Sequence, residues 1–136
     1  MANLVYGKAK TGLLTGLINT SASQYALLLI DKSLYSINAV NDEFVSNIPA
    51  SAIKTRTGNI SGITVSNGVL DASDLTVLHN GSYFDAIICY QVGSTDANSR
   101  LFFYIDSSIG LPYEGSNSSS SITIVWSNTV SKILSL

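Results

Sequence analysis

Few residues in this sequence could carry nucleophilic or redox chemistry, because it contains one histidine, His79, and one cysteine, Cys89. His79 precedes the turn-forming pair Asn80-Gly81, which predicts a solvent-exposed position at the tip of a hairpin. Cys89 lies in the apolar run Ala86–Tyr90, which predicts a buried and unreactive thiol. The sequence has neither a Gly-x-Ser-x-Gly elbow nor a Cys–His motif, so it does not indicate nucleophilic catalysis.

Two pairs of carboxylates come closest to a reactive arrangement. Asp85 and Asp106 lie in predicted strands among Tyr and Phe residues, where an acid–base pair could cleave a glycosidic bond. Strand carboxylates more commonly point out of a sheet, and we expect this of both. Asp71 and Asp74 could bind Ca²⁺, but they lack the spacing of an EF-hand loop and are typical of turns. The sequence therefore predicts no catalytic residue, no cofactor, no metal site and no enzymatic activity.

Aromatic residues raise the alternative of a glycan-binding module. The sequence contains seven Tyr and one Trp, and rings of this kind can stack on sugars when they are exposed. Tyr83, Tyr90, Tyr104 and Trp126, however, occupy alternating positions of predicted strands, where packing in the core or on a sheet face is expected. A glycan- or receptor-binding role therefore stays open as an alternative.

The composition argues against nucleic-acid and membrane partners. The chain has 136 residues and a net charge of −2, and its seven Lys and Arg residues are scattered, so no basic stripe is available for phosphates or anionic lipids. No apolar run approaches the roughly 18 residues of a membrane span. The apolar stretch Gly12–Ile18 is short and contains two Gly and a Thr, so we do not predict a signal peptide.

The pattern of apolar residues predicts one domain over residues 1–136, with an N-terminal helical segment (1–20) and a β body (21–136). A helix over residues 4–18 is indicated by apolar residues spaced four apart, namely Val5, Ala9, Leu13 and Leu17. The short apolar run Tyr25–Ile30 predicts a strand buried on both faces. Residues 31–51 predict either one helical turn within Asp42–Asn47 or only a loop.

Two Asn-Gly pairs predict two hairpins. Asn67-Gly68 joins Ile63–Ser66 to Val69–Ala72, and a type I′ turn there would place Val65 opposite Leu70. Asn80-Gly81 joins the next two arms in the same way. The second hairpin would pair Leu75–His79 with Ser82–Ala86, so that Val77 lies opposite Phe84 and Leu75 opposite Ala86.

The remaining strands are predicted at the end of the second hairpin (through Val92), at Leu101–Asp106, at Ile122–Trp126 and at Val130–Leu136. Gly93–Ser99 and Gly110–Ser121 are predicted loops. The fold class is therefore all-β and mainly antiparallel, a β-sandwich or partly open barrel of seven to eight short strands with a short N-terminal helix.

The order of these elements resembles a family of tailed-bacteriophage capsid decoration (cement) or minor virion structural proteins. The resemblance rests on the helix, the first buried strand, the Gly-rich lead into the hairpins and the later strands, namely Val5–Ile18, Tyr25–Ile30, Thr57–Gly62, Phe84–Tyr90, Leu101–Asp106, Ile124–Trp126 and Ile133–Leu136. It covers most of the chain and includes no catalytic motif.

The resemblance implies a structural role on the virion, at the outer surface of the capsid. The implied partners are the major capsid protein, whose capsomer contacts the chain would stabilise, and the chain itself as a dimer or trimer. The helix at 4–18 and the loop at 31–51 are the candidate contact segments, and the loop at 110–121 is a weaker one. A tail or neck structural protein is the alternative. We also expect that deleting residues 1–18 leaves a folded β domain.

Overall fold

The structure, a computed structural model, describes residues 3–21, 23–116, 118–127 and 133–135. The described residues form ten strands in three antiparallel sheets and one α-helix, α1 (Gly7–Thr15). The strands are β1 (Leu4–Val5), β2 (Tyr25–Ile30), β3 (Ile53–Arg56), β4 (Thr64–Ser66), β5 (Val69–Asp71), β6 (Leu75–His79), β7 (Ala86–Gln91), β8 (Arg100–Ile105), β9 (Ser120–Ile124) and β10 (Leu134–Ser135). The predicted all-β class with a short N-terminal helix is confirmed.

The largest sheet has five strands in the order β1-β8-β7-β2-β3. All six residues of β2 are buried, as its uninterrupted apolar sequence predicts for a strand covered on both faces. β2 pairs with β7 from Tyr25 opposite Gln91 to Ile30 opposite Ala86. The sheet therefore forms the central layer of the molecule.

One face of this sheet is covered by the first hairpin. Strand alternation places Tyr25, Cys89 and Phe103 on the same face. These side chains share a small apolar cavity with Ile63 and Leu70, so the sheet β4-β5-β10 lies over them. This arrangement is β-sandwich-like.

The opposite face is covered by residues 31–52, which contain three short 3₁₀ turns, Lys32–Leu34, Val45–Asn47 and Ala50–Ala52. Tyr35 of this segment lines a cleft together with Tyr104 of β8. The Tyr35 hydroxyl donates a hydrogen bond to Asp42 Oδ2 at 2.5 Å, which ties the segment to itself. The single turn at 45–47 lies within the range where one helical turn was predicted.

The first predicted hairpin is confirmed. β4 and β5 pair with Val65 opposite Leu70 and Thr64 opposite Asp71. Asn67 and Gly68 have φ angles of 51° and 77°, as a type I′ turn requires.

The second predicted hairpin is wrong. β6 pairs with β9, so that Val77 lies opposite Ile122 and Leu75 opposite Ile124. Ala86 instead begins β7 and pairs with Ile30. Residues 82–85 are not part of a strand; Phe84 forms only an isolated bridge with Tyr113.

The N-terminal segment belongs to the core, so the structure argues against the expectation that the β domain stays folded after residues 1–18 are deleted. β1 pairs with β8, and Tyr6 and Ile18 are buried in the main hydrophobic cluster. Removing this segment would strip an edge strand and core side chains from the central sheet. The helix itself is shorter than the predicted 4–18.

The other strands lie close to their predicted positions, and two short strands, β1 and β3, had not been predicted. At the C-terminal end, Leu134–Ser135 pairs with β5, whereas residues 130–132 and 136 of the last predicted strand lie outside the described residues. No helix within the described ranges has the length and apolar content needed to cross a membrane.

Candidate interaction surfaces

An exposed apolar patch lies where α1 meets residues 31–52. Leu14, Leu17 and Val40 are 90%, 52% and 69% exposed, and together with Lys10 they form what we call the helix patch. Gly7 sets their arrangement, since a Cβ there would lie 3.2 Å from the Val40 Cα. Leu14 follows Gly7 by two helical turns, about 10 Å along the axis. Val40 and Leu14 therefore flank the same side of α1.

The helix patch carries a positive charge at Lys10 that no ion pair among the described residues neutralises. Lys8 and Lys10 are both exposed, and neither makes an ion pair within the described part of the chain. Lys10 precedes Leu14 by four residues, so the two side chains are neighbours on the helix surface. The patch thus suits a partner surface that is apolar and carries carboxylates.

The helix is held rigidly at its N-terminal end. Tyr6 has no exposed surface, and its N–H donates a hydrogen bond to the Phe102 carbonyl at 3.1 Å. The Gly7 N–H donates to the Ala39 carbonyl at 2.7 Å, which joins the helix to the 31–52 segment. The two predicted contact segments therefore form one continuous surface.

The buried face of α1 differs in part from the predicted stripe. Ala9 is buried and Leu13 is half-buried, as predicted, but Leu17 is exposed. Gly12 is the second buried helix residue, and its Cα position leaves room for Ile18, whose Cγ1 lies 3.0 Å from where a Cβ would be. The chain turns back after Thr15, so Leu17 leaves the helical stripe.

Gln91 fixes the turn that carries Leu17. Its Nε2 donates to the Leu17 carbonyl at 2.9 Å, and its Oε1 accepts from the Asn19 N–H and the Tyr25 hydroxyl, each at 3.0 Å. One side chain thus joins β7 to the turn and to β2. The exposed leucine therefore sits on a fixed backbone, which lowers the entropy lost on binding.

A second apolar surface lies on the other side of the molecule, along β9. A groove runs between residues 122–125 and the turn at 108–111, with Ile87 also lining it. Ile109 and Val125 stand on its rims and are 104% and 65% exposed. We call this the β9 groove. Every residue lining it, and lining the cleft that continues it toward Asn3, is uncharged.

The paired carboxylates Asp85 and Asp106 do come together, but they do not point into solvent as expected. The Asp106 side chain has no exposed surface and Asp85 is 8% exposed. Asp85 Oδ1 accepts from the Lys32 N–H at 2.8 Å and its Oδ2 from the Tyr83 hydroxyl at 3.2 Å. Both residues lie just outside the ends of adjacent strands, β7 and β8, and accept hydrogen bonds from nearby donors.

Asp106 is equally committed to structural contacts. Its Oδ2 accepts from the Tyr104 hydroxyl at 3.0 Å and faces Lys32 Nζ at 3.5 Å. Burial, followed by the hydrogen bond to Asp106, raises the pKa of Tyr104 well above its usual value. These contacts join the ends of β2, β7 and β8. Both carboxylates are therefore directed toward groups of the protein and away from solvent.

His79 is not at a solvent-exposed hairpin tip, because its side chain is fully buried. Its Nε2 donates to the Ser82 carbonyl, and its Nδ1 lies 2.6 Å from Thr55 Oγ1. The Phe84 and Tyr113 rings meet it edge to face at 5.1 and 5.4 Å. The imidazole is therefore a core group that links β6 to β3.

The predicted burial of Cys89 is confirmed, since it is 2% exposed and burial raises the pKa of its thiol. Asp71 and Asp74 have separate local roles: Asp71 Oδ1 accepts from the Ala72 N–H and Asp74 Oδ1 from the Trp126 N–H. Within the described ranges, no three His, Cys, Asp or Glu side chains are grouped so that they could hold a metal ion.

The aromatic side chains are packed inward. All twelve lie within the described residues and none is exposed; Tyr90, Tyr104 and Trp126 are buried, and Tyr83 is half-buried. A sugar-stacking platform would need an exposed ring face. The structure therefore offers no aromatic surface in favour of the glycan-binding alternative.

Comparison with known proteins adds no family assignment: neither the scan against protein-family models nor the search of curated proteins finds a match for this chain. The helix patch and the β9 groove, with the charges that they carry or lack, are therefore the features that indicate a function. The sequence pattern contained no signal for Leu14, which lies off the predicted stripe. Ile109 did have one, as a large apolar residue between Ser108 and Gly110 in a polar turn.

Proposed function

We propose that the protein is a virion structural protein that decorates the outer surface of a tailed-phage capsid and stabilises the contacts between capsomers. The observation that supports this most directly is the helix patch, where Leu14 and Leu17 are exposed on a rigid support together with Lys10, which makes no ion pair with any described residue. Such a patch is typical of a protein-binding surface. The choice of the major capsid protein as partner follows the resemblance in the order of elements.

The role fits the physical character of the chain. Charged residues make up only 12% of the sequence, so few ions lose their water when a broad surface is covered. Individual contacts in a decorated shell need only modest affinity, because an oligomer that engages several capsomers gains effective concentration. Lys8 and Lys10, which form no ion pair within the described ranges, would attract α1 toward carboxylates on the shell.

The test uses capsids that lack the protein, with co-sedimentation and the thermal rupture temperature as readouts. We expect the wild-type chain to saturate the shell at a fixed ratio and to raise the rupture temperature. The double variant L14S/L17S should bind at least about tenfold more weakly, since about 1.4 kcal/mol of lost apolar burial corresponds to that factor. L78S is the matched control, because Leu78 is 74% exposed on β6 and outside the patch.

Equal binding of L14S/L17S and wild type would reject the helix patch as the contact. Binding of the wild-type chain to tails or necks only would replace the capsid assignment with the alternative structural role. A wild-type chain that binds no virion part would contradict the proposed function, and a glycan-binding screen would then be the next experiment.

A further inference from the structure

The exposed edge of β9 lacks the features that normally protect a free strand. Among the described strands β9 pairs only with β6, and residues 122–125 line the β9 groove. Ser120–Ile124 contains no charged residue and no proline. By contrast, β3, an edge strand of the central sheet, carries Lys54 and Arg56. Natural proteins place such charges on edges to prevent association, so the bare edge of β9 indicates a surface that is covered in use.

The β9 groove also combines an apolar protrusion with an apolar depression. Ile109 is fully exposed on the rim and does not fill the groove that it borders. The floor and walls are formed by Ile87, Leu111 and Ile124. A protrusion next to a depression of the same character is self-complementary, because two copies related by a two-fold axis can exchange the protrusion.

Charge decides between the two apolar surfaces as places for self-association. A two-fold contact through the helix patch would bring the Lys10 side chains of both copies together, and like charges in such a contact are unfavourable. The β9 groove is lined by uncharged residues, so two copies can meet there without repulsion. The helix patch thus suits a different partner, and the groove suits a second copy.

We infer that the protein forms a two-fold dimer through the β9 groove, with Ile109 of each copy seated in the groove of the other. The inference rests on the proposed function in one respect: it names the surface for the self-association that this function includes. The dimer itself does not require a capsid. In the assembled state the helix patch of each copy stays free for its partner.

The test is sedimentation of the purified full-length chain over a range of concentrations. We expect a wild-type dimer, and a dissociation constant raised at least about 100-fold by I109K, which places a charge in an apolar contact. L78K is the matched control, because Leu78 is similarly exposed but lies outside the groove lining. Both positions are on the surface, so neither variant should alter folding, and the far-ultraviolet circular dichroism spectrum checks this.

A monomeric or trimeric wild-type chain would overturn the inference, and so would a dimer that I109K leaves intact. If L14S/L17S lost the dimer and I109K retained it, the helix patch would be the self-association surface, and the inference would be overturned as well. These outcomes concern the free chain. Failure of capsid binding with an intact, I109K-sensitive dimer would instead count against the proposed function alone.

Discussion

His79 illustrates how a polar side chain stabilises this fold from inside. It is fully buried between β6 and β3, and both ring nitrogens have partners, Ser82 and Thr55. The Ser82 carbonyl can only accept, so Nε2 carries a proton. Flanking aromatic rings complete a pocket that excludes water.

At this scale we predict that H79A lowers the free energy of unfolding by about 3 kcal/mol, because it removes packing volume and leaves the Ser82 carbonyl without its hydrogen-bond donor. Chemical denaturation monitored by fluorescence of Trp126 measures the change. The neighbouring exposed residue gives the control, since L78A should stay within about 0.5 kcal/mol of wild type. A similarly small effect of H79A would show that the imidazole contacts contribute little.

At the scale of elements, two identical Asn-Gly pairs have different outcomes. Asn67-Gly68 closes a local hairpin, whereas Asn80-Gly81 leads the chain out of β6 toward the central sheet. The difference comes from Gly115, Ser116 and Ser118, which pack on the second turn: the Ser116 N–H donates to the Gly81 carbonyl at 2.7 Å. Local sequence defines a turn, but a distant segment decides which strand β6 pairs with.

The close approach at Gly81 yields an element-scale prediction. A Cβ there would lie 2.6 Å from the Ser116 carbonyl oxygen and 2.8 Å from that of Ser118, at a φ of 86°. G81A should therefore destabilise the protein by at least about 2 kcal/mol more than G16A, because Gly16 shares the positive φ but has open space around it. Thermal unfolding of both variants tests this, and equal losses would contradict the packing of Ser116 and Ser118 on the turn.

How far the sequence predicts each element depends on where its contacts are. β2 and the first hairpin depend on apolar runs and turn residues within a few positions, and both were predicted. β1 and β3 are short and depend on pairing with β8 and β2, which no local pattern reveals. For the helix patch, the sequence predicted the two contact segments but not the exposed residues within them. The exposure of Leu14 depends on how residues 31–52 pack against Gly7.

At the scale of the whole molecule, the chain buries an unusual number of phenols. Tyr6, Tyr25, Tyr35 and Tyr104 are each at most 5% exposed, and burial is the main reason that the pKa of each lies above its ordinary value of 10.0. Their hydroxyls have partners inside the protein: the Tyr6 hydroxyl lies 3.2 Å from that of Tyr35 in the covering segment, and the Tyr25 hydroxyl donates to Gln91 within the central sheet. The neutral phenols are thus part of the contact between the central sheet and its covering segments.

This makes the stability of the molecule sensitive to alkali in a defined direction. In the unfolded chain these phenols lose their protons near pH 10, whereas the folded protein keeps them, so the folded state binds more protons and its stability falls as pH rises. The stabilisation is complete below about pH 10 and is lost at about 1.4 kcal/mol per pH unit for each phenol. With four such groups and a typical stability of about 5–15 kcal/mol, we expect cooperative unfolding between roughly pH 11 and pH 13. Circular dichroism should show the unfolding, and ultraviolet absorbance should show a steep rise in phenolate at the same pH. A gradual phenolate titration near pH 10 with an unchanged circular dichroism spectrum would instead show that these hydroxyls are accessible in the folded protein.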